Sequence, residues 1–181
     1  MALRSVAVAL LAVLTSAPVA AQRGLEYEVK AAYLYNIVNF VTWPPEAFAG
    51  PADPLRVCVY GADPFGDLID RAMTGGMSNG RTVAVVRTAD PSTLSTCQLV
   101  FVAGRTTDPI NQVVRATEQR PVLTVGDSSD FLRRGGMIAF VIDGGRVRFD
   151  ISLQTTSERG LLLSSRLLQV ARSIVGKRTP G

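Results

Sequence analysis

Four short β-rich runs recur along the middle of the chain, and three of them break at glycine. They are "LRVCVYG" (Leu55–Gly61), "RTVAVVR" (Arg81–Arg87), "QLVFVAG" (Gln98–Gly104) and "RPVLTVGD" (Arg120–Asp127). Their near-continuous apolar character suits strands buried on both faces. Helix-forming segments separate them. "DPFGDLIDRAM" opens with Asp63 in a capping position and Pro64 behind it, and "TDPINQVVRATEQ" (Thr107–Gln119) opens in the same way. The stretch "DPSTLSTC" is a connector with room for one helical turn, "GGMSNG" (Gly75–Gly80) reads as a turn, and "SSDFLRRGG" reads as a short helix stopped at Gly135-Gly136. Strands alternating with helices predict a mainly parallel sheet covered on both sides.

The pattern changes after Gly136. "MIAFVI" and "RVRFDISL" are strands joined by Asp143–Gly145, a hairpin signal. In the second strand Val147, Phe149 and Ile151 alternate with Arg146, Arg148, Asp150 and Ser152, which gives one buried and one wet face. From Thr155 to Val175 the periodicity predicts one last helix, with Leu161, Ser164, Leu168, Ala171 and Val175 near one stripe; Gly160 weakens its first turn. At the other end a helix is predicted from Glu26 to Thr42. Its stripe is Val29, Ala32, Tyr33, Asn36, Ile37, Phe40 and Val41, and Pro44-Pro45 stop it. The expected fold class is therefore α/β: a mixed, mainly parallel sheet of about six strands with helices on both faces, then a C-terminal hairpin and helix.

The first residues predict export. Arg4 precedes the apolar run Val6–Ala20, and Val19-Ala20-Ala21 fits a small-residue cleavage site before Gln22. The run is shorter than the ~20 apolar residues a spanning helix needs, and Pro18 interrupts it. No cysteine follows the small residues, so a lipoprotein anchor is not expected. Residues 1–21 are read as a cleaved signal peptide and residues 22–181 as one domain, expected in the periplasm. That domain is roughly 160 residues, long enough for a real core.

The composition removes most chemistry. The chain has no histidine. That excludes Ser-His-Asp and Cys-His arrangements and histidine-based metal sites. All but two of the nineteen basic residues are arginine, the lysines being Lys30 and Lys177, and no serine is placed to pair with either. The arginines are scattered and the net charge is only +4, so no nucleic-acid footprint is visible. The glycine-rich turns lead into strands and no Walker lysine is present, so neither cradles phosphate. Asp63, Asp127 and Asp130 follow strand ends, and helix capping is the expected role for each. Neither enzyme activity nor a cofactor is expected. The two cysteines, Cys58 and Cys97, predict one bridge in an oxidising compartment, with two buried free thiols as the alternative.

What remains is apolar surface. The first helix carries Tyr33, Tyr35, Ile37, Val38, Phe40, Val41 and Trp43, and the last is leucine-rich over more than half its circumference. Such helices are either deeply buried or dock on another protein. Tyr35, Trp43, Leu163, Arg166 and Leu167 are the expected partner-binding positions.

The blocks "YEVKAAYLYNIVNFVTWP", "LRVCVYGADPFG", Gly80-Arg81, "CQLVFVA", "PVLTVGDSSDFLRRGGMIAFVIDGGRVRFDISL" and "RGLLLSSRLLQVAR" resemble, in that order, the YfiR-like family. Gln98 stands where a histidine is common in that family. The resemblance implies a periplasmic protein that binds the periplasmic sensor domain of an inner-membrane diguanylate cyclase, represses cyclic di-GMP synthesis, forms a homodimer, and carries a redox-sensitive disulfide. It also implies an outer-membrane partner, a lipoprotein that sequesters the repressor. A second class of function stays open: a small-molecule sensor with a pocket at the carboxyl ends of the strands, near Gly61–Phe65 and Gly126–Asp130, acting on another signalling protein such as a sensor kinase.

Overall fold

The computed structural model describes residues 17–103 and 107–176. In chain order these form α1 (Ala17–Asn39), β1 (Val41–Thr42), β2 (Leu55–Tyr60), α2 (Leu68–Met73), β3 (Met77–Ser78), β4 (Arg81–Thr88), β5 (Leu99–Val102), α3 (Thr107–Ala116) and β6 (Leu123–Gly126). Then come β7 (Ile138–Asp143), β8 (Arg146–Ser152), α4 (Leu153–Glu158), β9 (Leu162–Leu163), α5 (Ser165–Val170) and β10 (Ser173–Val175). Single 3-10 turns at Pro45–Ala47, Pro91–Thr96 and Leu132–Arg134 link them.

The main sheet has eight strands in the order β10-β8-β7-β6-β5-β2-β4-β3. The run β4-β2-β5-β6-β7 is parallel, and β10 is parallel to β8; β7/β8 and β3/β4 are antiparallel. The α/β expectation holds, with more strands than the sequence announces. Alternate residues of each central strand enter two different cores. Val57, Val59, Leu99, Phe101, Leu123 and Val125 point into the larger one beneath α1 and α2. Cys58, Tyr60, Val100 and Val102 point into the smaller one with Ile110, Val113, Leu94 and Phe131. Burial on both faces explains why these strands read as apolar runs without alternation.

Several boundaries move. The predicted last helix, Thr155–Val175, is four separate elements: α4, β9, α5 and β10. Gly160 adopts a left-handed φ of +71°, which ends the helical path. Ser164 then caps α5 by accepting a hydrogen bond from the Leu167 amide. The segment beyond Ala171 is extended because it completes the ladder of β8, pairing Ser173–Val175 with Asp150–Ser152. The leucines that mimic one helical stripe are therefore distributed over a strand and a short helix. "GGMSNG" is not only a turn: Met77-Ser78 pair with Thr82 and Arg81 around Asn79-Gly80, both at positive φ, so the segment is a tight hairpin.

α1 is longer upstream than predicted and ends earlier, at Asn39, before β1. The leader as far as Ser16 lies outside the described residues. The buried face of α1 is Lys30, Ala31, Leu34, Ile37 and Val38, whereas Val29, Ala32 and Asn36 from the predicted stripe are exposed. A lysine at the start of the buried face disguises that face in a hydrophobicity reading. Ser78 Oγ donates to Val38 O and Asn79 Nδ2 to Val41 O, so the β3–β4 hairpin fastens the end of α1.

Candidate functional site

Between β2 and β5 the chain reverses its direction of travel across the sheet, since β4 lies on one side of β2 and β5 on the other. In open α/β sheets the crevice outside the carboxyl ends of the strands at such a switch is where side chains can converge without breaking the core. A cleft of ≈ 1230 Å³ opens at that edge, lined by Arg23, Glu26, Tyr27 and Lys30 of α1, Pro64 after β2, Asp127 and Ser129 after β6, Phe140, Val141 and Ile142 of β7, and Arg172 before β10.

Its floor is a buried charge cluster. Lys30 is only 3 % exposed; its Nζ lies 2.6 Å from Glu26 Oε1 and donates to Asp127 Oδ2 at 2.9 Å. Tyr27 OH donates to the same Asp127 oxygen at 2.8 Å, and the Lys30 ammonium lies 4.3 Å from the Tyr27 ring centroid. Burial, then the bonded Asp127 carboxylate, raise the Tyr27 phenol well above its ordinary value, so it remains a donor at any working pH. A buried ammonium requires such partners, because an unpaired charge there would cost several kcal/mol, on the order of 3–5. Below the cluster a chain of rings transmits packing to the core: Tyr27–Phe65 at 5.3 Å and Phe65–Phe101 at 4.7 Å, both edge-on.

Two further arginines hold the rim. Arg87 Nε donates to Asp63 Oδ2 and its Nη2 to Gly66 O, both at 2.6 Å, and the same guanidinium bonds Asp70, which pins the β2–α2 loop. Arg172 forms a two-pronged pair with Asp150 of β8. Asp63 and Asp130 do not cap the helices expected of them, and the Asp127 carboxylate is drawn into the charge cluster. Asp63 accepts from the Phe65 amide and from Arg87, while α2 begins only at Leu68. Asp127 serves Lys30 and Tyr27, and Asp130 serves Ser128 and Arg134. Among the described residues no group of histidine, cysteine or acidic side chains could hold a metal ion.

Cys58 and Cys97 are bonded, with Cα atoms 6.1 Å apart, in the smaller core on the face away from α1. Both are buried. The bridge links β2 to Cys97 at the end of the 3-10 segment that leads into β5, so it ties together the two strands that flank the switch point.

The five expected partner-binding residues are placed unevenly. The antiparallel ribbon β1–β9 pairs Val41 with Leu163 and Thr42 with Leu162, and so brings the end of the α1 segment beside the C-terminal segment. Trp43 is 7 % exposed, and its indole Nε1 donates to Gln98 O at 3.0 Å. Leu167 is also buried, Tyr35 and Leu163 are half-buried, and Arg166 is exposed. Trp43 and Leu167 therefore support this surface from beneath. Leu162, 68 % exposed, and Val170 are the open apolar side chains there. Lys30, Asp127 and Gln98 escape sequence reasoning as a set. The signal for Lys30 was its rarity: one of two lysines in the sequence.

A family profile described as YfiR/HmsC-like matches residues 27–172. Among solved structures the chain is similar to a conserved domain protein from Vibrio cholerae O1 biovar El Tor, at 10 % identity and a TM-score of 0.54 over 82 % of this chain. It is similar also to a Streptococcus pneumonia ABC domain solved in complex with L-Trp, at 11 % identity and a TM-score of 0.54 over 80 % of this chain. The chain spans 60 % of the length of each of those two proteins. At such identities what is shared is the fold.

Proposed function

We propose, for a chain that belongs to the YfiR/HmsC-like family, a regulatory role exerted by binding and not by catalysis. The protein binds the periplasmic sensor domain of an inner-membrane diguanylate cyclase and holds the cyclase inactive, in a redox-sensitive manner. The observation that carries this reading is the family match across residues 27–172. The apolar leader, the absence of histidine and the buried Cys58–Cys97 bridge are consistent with it. No helix among the described residues is long and apolar enough to cross a membrane.

The mechanism is a population shift. A repressor that binds the inactive cyclase about a hundredfold more tightly than the active one shifts the equilibrium by ~2.7 kcal/mol. The docking surface in this reading comprises the C-terminal segment around Leu162, Leu163, Arg166 and Val170 together with Tyr35 of α1, and the buried Trp43 and Leu167 are its structural support. A homodimer contact and a sequestering outer-membrane lipoprotein belong to the same reading. Purified exported protein titrated onto the partner cyclase in membranes tests it by cyclic di-GMP production. Dose-dependent loss of synthesis is expected; full synthesis at saturating protein refutes the role.

The cleft favours a second reading, a small-molecule sensor that acts on a membrane signalling protein such as a sensor kinase. Its support is the convergence of Lys30, Tyr27, Asp127 and Arg172 on one cavity. The two readings are compatible if the ligand adjusts the affinity for the partner.

A further inference from the structure

We infer that the cleft at the carboxyl edge takes a small organic anion, a carboxylate carried on an apolar body. The inference rests on the ligand-sensing reading above and gives that ligand its chemistry. Lys30 is more than nine-tenths buried, yet it borders the cavity. An ammonium has three protons. Glu26 and Asp127 engage two of them, and the ammonium also lies over the Tyr27 ring, 4.3 Å from its centroid. Both carboxylates on the floor thus face a shared cation, which leaves the guanidinium groups of the rim to meet the ligand.

The rim adds to this. Arg23 lines the cleft without an ion-pair partner among the described residues. Arg172 lines it as well, already oriented by Asp150. Arg172 is matched by Asp150 and Lys30 by Glu26 and Asp127, so Arg23 is the lining cation left to meet a ligand's charge, and guanidinium groups bind carboxylates with paired hydrogen bonds. The wall opposite is apolar: Pro64 and Ile142, the latter 55 % exposed. Covering Ile142 supplies hydrophobic stabilisation that a bare inorganic anion cannot gain. The ligand therefore needs both parts, a charged end and a body.

Calorimetric titration of the exported protein with benzoate, benzamide, benzylamine and acetate separates the two parts. Benzoate is expected to bind at least tenfold more tightly than benzamide, benzylamine or acetate. Arg23→Gln, at an exposed position, should weaken benzoate at least fivefold and leave the melting midpoint unchanged; Arg115→Gln on α3 serves as the control and should bind as the parent does. Equal affinity for benzamide, no binding of benzoate, or undiminished binding by R23Q overturns the inference. Adding benzoate to the cyclase assay distinguishes failures. Repression by a protein that binds no carboxylate overturns this inference and leaves the regulatory reading intact, whereas tight binding without any change in repression supports the site and removes the sensing role.

Discussion

Cys58 and Cys97 are separated by 39 residues, and the loop-closure model assigns a bridge of that span roughly 3–4 kcal/mol. Cys58→Ser should lower the melting midpoint by about 10 °C for a domain of this size. An unchanged midpoint would remove the structural basis of redox control. Because both sulfurs are buried, reduction requires local opening, so loss of the bridge should be slow under native conditions and fast in mild denaturant. Gln98 satisfies three groups at once: its Oε1 accepts from Arg56 N, its Nε2 donates to Ala47 O, and its backbone O accepts from Trp43. Gln98→Ala keeps only the last of these and leaves the part-buried Arg56 N–H and Ala47 carbonyl unpaired, a loss of about 2 kcal/mol in denaturant unfolding. The residue that departs from the family habit is thus fully employed. No sequence pattern reveals this, since its partners lie 42 and 51 positions away.

At the scale of elements, α1 is held at its cleft end by ions and further along by packing. Lys30→Met should cost about 3 kcal/mol, because Asp127 and Glu26 then lose the cation they share. Equal stability of K30M and parent would show that the ionic cluster is not what fastens α1. The turn after β6 has its own pH signature. The Ser128 hydroxyl first, and Arg134 second, hold the Asp130 carboxyl below the usual carboxylate range. A folded-state value below the unfolded one stabilises the fold above about pH 4 and is lost as pH falls further. The melting midpoint should therefore decline below about pH 4, and Asp130→Asn should flatten that decline while lowering the midpoint at neutral pH. A decline of equal slope in D130N would assign the acid limb to other carboxylates, such as Asp70, whose bond to Arg87 shifts it in the same direction. The breakdown of the predicted last helix belongs to this scale too. Leu161, Leu167 and Leu168 fall at helical spacing, but Gly160 and the vacant edge of β8 outweigh that spacing.

For the molecule as a whole, docking and folding should separate by mutation. Arg166 is exposed and has no ion-pair partner among the described residues, so Arg166→Glu should leave the melting midpoint within a degree or two and abolish repression in the cyclase assay. Trp43→Ala removes a buried indole and should cost roughly 3–5 kcal/mol, with repression lost only through instability. Repression retained by R166E would move the docking surface elsewhere. Two-faced apolar strands, turn residues and capping signals are local properties, and they were enough to announce an α/β sheet, its hairpin and the positions of most strands. The cysteine pair and the ordered blocks of similarity likewise belong to the chain itself. Which face of α1 is buried was settled in three dimensions, because Lys30 is buried where a carboxylate distant in sequence, Asp127, joins the local Glu26 to meet it. The cleft, the strand order that opens it and the edge strand β10 arise in the same way: each depends on groups distant in sequence whose hydrogen bonds and charges must be satisfied together.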